Sequence, residues 1–448
     1  MGALDDTIVA VSTAAGRAAI AVVRLSGPRS HDIARRCLTR FPETSRVAVL
    51  SDVRDPLTGA VVDRAVVTRY DAPLSFTGED AVEVSGHGGL LSPAAVTALL
   101  IREGARQADP GEFTRRALLN GKLDLLQAEA IASVVDARTE AARRAALHHA
   151  DGGTSRQILA LRDTIIELEA LLAYDIDFPE EDDGPVAPER VERTLALARD
   201  QVGALLRNVR VGEVVREGAV VVLAGPPNAG KSSLFNALLG VDRAIVHETP
   251  GTTRDAIDAV IEASRWPLRL VDTAGLRESD DDVERTGVEV SRRYLAGAHV
   301  VVVCGVTQAE IQFAQRAIRT ISPAPQVAVA TKRDIAPGEL VAGAVAVSAH
   351  RREGLSALLD EIERVLDEQY GSLEPDAPVL TRARHQAALT EAARELDAFA
   401  AAWSSREIPA TVAAVPLRGA VHALEALVGV VDVEDVLSRV FSSFCVGK

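Results

Sequence analysis

The segment VVVLAGPPNAGKSSLFNALLG, residues 220–240, decides the fold class. An apolar, β-branched run stops at Gly225, a glycine-rich turn follows, and an amphipathic pattern begins at Lys231. The spacing G-x-x-x-x-G-K-S is that of a phosphate-binding loop between a buried strand and a helix. Gly225 and Gly230 let the backbone curl so that successive N–H groups face phosphate oxygens, and the helix adds its positive N-terminal end. Lys231 is expected to reach the β- and γ-phosphates of a nucleoside triphosphate, and Ser232 to ligate Mg²⁺ through its hydroxyl. Asn228, Ala229 and Ser233 complete the expected cradle.

Four further elements follow in the order that a GTPase requires. Thr252 and Thr253, in PGTTRD, offer a hydroxyl to Mg²⁺ that depends on the γ-phosphate, which makes the segment a switch. Asp272 closes the strand LRLVD and opens DTAG, with Thr273, Ala274 and Gly275. Its carboxylate is expected to hold the metal through water, and Gly275 to turn its N–H to the γ-phosphate. TKRD ends the strand VAVA with Thr331, Lys332 and Asp334. Asp334 is placed to accept both N1–H and the 2-amino group of guanine, and Ser348 and Ala349 to offer a backbone N–H to O6. The base-reading motif usually begins with Asn. Thr331 is shorter with one fewer donor, so guanine selectivity is expected to survive through Asp334 with weaker binding, and Thr331→Asn to tighten it.

Leu276 follows the DTAG glycine, where Ras-type GTPases carry a Gln that orients water. A leucine cannot do that, so the orienting group is sought in Glu278, Asp280, Asp281, Asp282 and Glu284. For most of these a solvated acidic loop is the ordinary reading.

Outward from this core, AVVVLAG, LRLVDTAG, HVVVVCG and VAVATKRD alternate with helical segments. That pattern predicts a parallel sheet with right-handed crossovers over residues 218–374. Residues 121–217 and 375–448 carry helical periodicity, as in LDLLQAEAIASVVDA and QILALRDTIIELEALLAY. The acidic stretch 175–188 between helical runs reads as a solvated linker. Residues 1–120 mix short β-branched runs (8–11, 19–25, 64–70 and 80–86) with turn clusters, which predicts an α+β domain with a mostly antiparallel sheet. The whole is expected to be a multidomain α/β chain, with a P-loop GTPase domain inserted in a helical domain whose two parts flank it. Gly86-His87-Gly88-Gly89 reads as a tight turn.

At 448 residues the chain exceeds one core, and 47% apolar with 25% charged residues describes an ordinary globular protein. The net charge of −15 argues against coating nucleic acid by charge alone. Residues 1–150 are balanced, with 18 acidic and 18 basic side chains, so the excess lies beyond them. No run reaches membrane-spanning length and no basic-then-apolar leader opens the chain, so a cytoplasmic protein is expected. Three scattered cysteines, Cys37, Cys304 and Cys445, form neither a disulfide framework nor a zinc site. Cys445 reads either as a small buried hydrophobe or as a reactive thiol carried on a tail.

Taken together, GPPNAGKSSLFNALLG, AIVHETPGTTRD, DTAGLRESDDDVERTG and the terminal FSSFCVGK resemble the MnmE (TrmE) family of tRNA-modifying GTPases. DTIVAVST, GRAAIAVVRLSGP, SFTGEDAVEVSGHGG, PGEFTRRALLNGKLDLLQAEAI and IDFPEED are similar to that family as well. The resemblance implies K⁺ bound by Asn228 and by the loop from about Ala244 to Thr252, with His247, Glu248, Thr249, Pro250 and Gly251. There K⁺ takes the place of an arginine finger. His247 stands where Thr is expected. The resemblance further implies that Glu284 orients water, that two G domains meet in a homodimer, and that the N-terminal domain holds a tetrahydrofolate one-carbon carrier. Arg24, Glu83 and Lys122 are the matching folate positions. Cys445 and Lys448 would act near the modified base. The implied partner is the FAD-dependent MnmG protein, in a heterotetramer that modifies C5 of the wobble uridine of certain tRNAs. Two competing readings are a GTP-controlled ribosome-assembly or RNA-binding switch and a folate enzyme regulated by its GTPase. The first expects a basic KH-like C-terminus, which the acidic helical C-terminus does not offer.

Overall fold

The computed structural model describes residues 6–137, 139–177, 187–240, 257–263, 265–272, 292–335, 341–371, 380, 382–405, 412, 414–429 and 447. The chain divides into two compact units, residues 1–132 with 150–159 and 425–448, and residues 133–149 with 160–424.

The first unit is built on a six-stranded sheet in the order β3-β4-β5-β2-β1-β6. Its strands are β1 (Ile8–Val11), β2 (Ile20–Ser26), β3 (Ala48–Arg54), β4 (Val61–Tyr70), β5 (Ala81–His87) and β6 (Arg106–Gln107). All pairs are antiparallel except β1 with β6. Alternation sets the faces: in β4, Asp63, Ala65 and Val67 turn inward while Arg64 and Val66 face out. The inward face meets helices α1 (Ser30–Cys37) and α2 (Leu91–Arg102) in a core of Val23, Leu25, Ile33, Val82, Val84, Val96 and Leu99.

Helix α3 (Glu112–Leu119) carries Arg116, which is 1% exposed. Its guanidinium meets Asp6 at 2.5 Å, Glu112 at 3.0 Å and Glu79 at 3.1 Å. Burial opposes the charge, and Glu79, Glu112 and Asp6 more than offset it, so the pKa of Arg116 is raised. Glu79 also accepts the hydroxyl proton of Ser26 at 2.7 Å. The knot therefore fastens α3 to the first residues of the sheet and to the loop 75–80. Gly447 has φ 100, and a Cβ there would overlap the carbonyl oxygen of Val11.

In the second unit α7 (Pro188–Glu217) buries Val191, Leu195, Ala198, Val202, Leu205 and Val209, spaced three or four apart. It lies against the helix Ala383–Ser405, which offers Leu389, Ala392, Leu396 and Phe399. Arg199 and Asp397 pair across them at 2.5 Å. Gly218, with φ 82, ends α7 and leads into the second sheet, ordered β12-β11-β10-β7-β9-β8. These strands are β7 (Ala219–Ala224), β8 (Ile257–Glu262), β9 (Pro267–Asp272), β10 (Val300–Gly305), β11 (Gln326–Ala330) and β12 (Val345–Ala346).

The sequence expectation of a parallel sheet needs one correction. β8 runs antiparallel to β9, because four residues cannot make a parallel crossover. The other strands are parallel and mostly apolar, since alternate residues feed two layers. Val221, Leu223, Val300 and Val302 meet Leu234, Phe235, Leu358 and Ile362, whereas Val222, Ala224, Val301 and Val303 meet Ile311, Ala314 and Ile318. The covering helices are α8 (Lys231–Leu239), Gln308–Arg319 and Leu355–Tyr370.

Candidate nucleotide site

Parallel strands deliver their functional residues at their C-terminal ends, where ligands bind in such sheets. Gly225 follows β7 with φ 146, and a Cβ there would overlap the carbonyl oxygen of Cys304 on β10. Asn228 and Gly230 take left-handed φ of 61 and 82, so the loop turns sharply twice before α8. Gly230 is the N-cap and supplies no side chain to the first turn, which leaves that end to a ligand or water. Lys231 is buried and lies across the loop, its Nζ donating to the carbonyls of Gly225 at 3.1 Å and Pro226 at 2.9 Å. Ser232 and Ser233 are exposed beside it. This glycine-lined cradle with an uncapped helix end fits a polyphosphate.

Asp272 is buried at the end of β9 and pairs in register with Leu223, two residues before Gly225. The sheet thereby brings the DTAG carboxylate alongside the loop. Cys304, under the same loop, is fully buried, and burial pushes its thiol up to about 12, so it is an inert core residue.

The TKRD segment is held from two sides. Thr331, 4% exposed, donates its hydroxyl to the carbonyl of Ala229 at 2.7 Å, with Gly305 O at 3.2 Å. That bond ties the TKRD segment to the glycine-rich loop across about a hundred residues of sequence. The short side chain thus performs the bracing for which the sequence led us to expect an Asn. Arg333 N–H reaches Val347 O at 3.3 Å, and Val347 N–H reaches Ala330 O at 2.8 Å, joining the ends of β11 and β12. Asp334 accepts the Ser348 hydroxyl at 2.9 Å, and this bond holds its carboxyl below the usual carboxylate range. The carboxylate is therefore ionised, with one oxygen taken by the Ser348 hydroxyl. Ala349 follows, half-buried, at the turn that starts from Ser348.

Thr331→Val keeps the shape and removes the donor, leaving the buried Ala229 carbonyl without its hydroxyl. A lost buried hydrogen bond costs roughly 1–3 kcal/mol, so GDP is expected to bind about tenfold more weakly or worse. Thr331→Ser should bind as the parent does. Equal affinity of all three in a fluorescent-nucleotide titration would show that the tie contributes nothing.

The other expected positions lie in the first unit. Arg24 and Glu83 face each other across β2 and β5 and pair at 2.9 Å. Tyr70 donates its hydroxyl to the second oxygen of Glu83 at 3.3 Å, and Arg24 stacks over Phe76 at 5.2 Å. Lys122 donates to Pro73 O at 3.0 Å. Tyr70 and Phe76 were not singled out in the sequence, because nothing there joins them to Arg24. One group of three potential metal ligands occurs among the described residues, His31, Asp71 and Asp80, within 4.8 Å. Arg69 already takes both oxygens of Asp71 at 3.0 Å, which makes it an ion-pair knot. The expectations on His247, Glu248, Thr249, Pro250, Gly251, Thr252, Thr253, Thr273, Ala274, Gly275, Glu284, Cys445 and Lys448 fall outside the described residues. Among the described residues no helix is long and apolar enough to cross a membrane.

Residues 7–122 match the family described as GTP-binding protein TrmE N-terminus, and residues 125–445 match the MnmE helical domain. Curated relatives are similar over nearly their whole length. The tRNA modification GTPase MnmE of Methylobacterium radiotolerans is 42% identical, covering 99% of both chains. That of Azoarcus sp. is 42% identical over 99% of this chain and 98% of its own. That of Aquifex aeolicus is 38% identical over 99% of this chain and all of its own.

Proposed function

Since the chain belongs to the MnmE family of tRNA modification GTPases, we propose that its GTP hydrolysis depends on K⁺ and on a second copy of the chain. The bond from Thr331 to Ala229 carries the nucleotide part of this reading, because it couples base and phosphate recognition in one rigid unit. Ser232 and Thr253 would hold Mg²⁺. Asn228, His247, Thr249 and Thr252 would hold K⁺, whose charge offsets that developing between the β- and γ-phosphates. Glu284 would orient the attacking water. Asn228 stands at a left-handed turn, φ 61, three residues before Lys231, within the same loop.

Hydrolysis is expected to be fast in K⁺ and slow in Na⁺. In Glu284→Ala it should be lost while GDP affinity is retained. Single-turnover assays in the two salts test this, and equal rates would end the K⁺ mechanism while leaving the phosphate loop intact.

The folate reading has a specific support. Arg24 and Tyr70 each engage one oxygen of Glu83, which makes Glu83 an oriented acceptor for the N–H groups of a pterin ring. Arg24 is then a positioning residue, and Lys122 is left to meet the carrier's carboxylates. A tetrahydrofolate carrier bound there would supply the one-carbon unit. Cys445 and Lys448 would act at the modified base. We further propose the FAD-dependent MnmG protein as partner in a heterotetramer, C5 of the wobble uridine as the target, and the cytoplasm as the compartment. The α/β region 218–374 reads as a guest within the helical segments 121–217 and 375–448, after a domain at 1–120. Mass spectrometry of wobble nucleosides in a null strain complemented with this chain tests the assignment. Absence of restored modification would refute it.

A further inference from the structure

Strand β5 ends at His87 within the turn Gly86–Gly89, which the nucleotide and folate readings leave unused. His87 is 74% exposed, yet its Nδ1 lies 2.6 Å from Oδ1 of Asp63, whose side chain is 7% exposed. The same carboxylate accepts the backbone N–H of His87 at 3.0 Å, the backbone N–H of Arg64 at 2.7 Å, and the hydroxyl of Ser92. Burial would raise the Asp63 pKa, but the hydrogen bonds from Ser92 and His87 outweigh it and hold the group below its ordinary value. An ionised carboxylate only accepts, so Nδ1 carries a proton, and in the neutral form of the ring Nε2 is the nitrogen with the lone pair.

The turn is shaped around this arrangement. A Cβ on Gly86 would overlap Oδ2 of Asp63, a Cβ on Gly88 would overlap the Ala18 carbonyl oxygen, and Gly89 has φ 142. A carboxylate at one ring nitrogen with the other nitrogen open is the geometry by which proteins fix a histidine's tautomer for proton transfer. His87 and Glu83 lie four residues apart on β5, about 13 Å at the usual strand rise.

We infer that His87, oriented by Asp63, is a proton-transferring residue of the tRNA-modification chemistry, accepting a proton at Nε2 from an N–H or O–H of a bound substrate. The inference rests on the family activity and not on the folate or K⁺ proposals. The proton passes from the substrate to Nε2. Asp63 stabilises the resulting imidazolium, and the exposed ring returns the proton to solvent.

The test uses the full-length chain added to an extract of null-strain cells, with tRNA from that strain as substrate and modified nucleoside as readout. His87→Asn keeps an N–H for Asp63 and lacks Nε2. It is expected to lower the modification rate about a hundredfold or more, with GTP hydrolysis and melting temperature unchanged. His87→Ala should regain rate on addition of imidazole, and the acid limb of the wild-type pH–rate profile should vanish in His87→Asn. Wild-type modification by His87→Asn would overturn the inference. So would parallel loss of modification, GTP hydrolysis and melting temperature with no imidazole rescue, which is the signature of a turn clamp alone. A wild-type chain that modified no tRNA would instead overturn the family activity on which the inference stands.

Discussion

Gly225→Ala is expected to remove measurable GTP and GDP binding. Two independent constraints meet at this residue. Its φ of 146 lies where an L side chain is strained, and the added Cβ would overlap the Cys304 carbonyl oxygen. That carbonyl belongs to β10, which is paired through Cys304 with Val329 on β11 and through Val303 with Ala224 on β7. It cannot withdraw without shifting the centre of a close-packed sheet. The loop must move instead, and the phosphate cradle goes with it. A loss of at least about 3 kcal/mol in nucleotide affinity, more than a hundredfold, follows if the loop yields. Gly343→Ala is the control, since Gly343 also has positive φ, 74, but no atom stands within 4 Å of an added Cβ. It should cost about 1 kcal/mol in stability and nothing in affinity. Wild-type titration by Gly225→Ala would refute the clash.

Arg116→Met should be the most damaging single change in the first unit. Arg116 neutralises Asp6, Glu79 and Glu112 from a site with almost no access to water. Methionine fills the volume, takes the guanidinium from Glu79, and leaves Asp6 and Glu112 with Arg106. Breaking a buried charge network from one side costs about 3–5 kcal/mol. Denaturant unfolding followed by a probe in residues 6–132 measures the loss. The sign with pH is fixed. With the guanidinium gone, Asp6 and Glu112 keep Arg106 but lose a second cation that favours their charged form, so their carboxyls are held down less and acidification protonates them more readily. The stability gap to the parent should therefore narrow as pH falls. The neighbour Arg115 is half-buried with no ion pair to any carboxylate among the described residues. Arg115→Met should cost no more than about 1 kcal/mol. Equal losses at the two positions would sink the argument.

These two arginines also show where the sequence stops being readable. Arg115 and Arg116 stand side by side in PGEFTRRALL, chemically identical, and only packing makes one a buried hub. The phosphate loop was legible because its chemistry is local: glycines, lysine and serine act within eight residues, at a strand-to-helix junction that periodicity alone marks. Asp334 was legible for the same reason. The hydroxyl tie from Thr331 to Ala229 was not, since it joins residues 102 apart. Strand β3 escaped notice because AVLSDVR breaks its apolar alternation with Ser51 and Asp52, and β6 because two residues give no period. β8 was missed as an antiparallel neighbour because short apolar runs state neither partner nor direction. His87 was legible as a turn residue only. Its partner Asp63 is 24 positions earlier on another strand.

Gly447, set against Val11, gives the first unit an unusual schedule. That unit draws on residues 1–132, 150–159 and 425–448, so its sheet is translated early and its last contact very late. During synthesis the sheet must wait for some three hundred residues of the other unit to emerge before Gly447 can seat. At ordinary elongation rates of about 5–20 residues per second, that delay lasts about fifteen seconds to a minute. The nascent chain thus carries the first unit's sheet without its Gly447 contact while the second unit is made. Its assembly is timed by the ribosome's passage through the GTPase region.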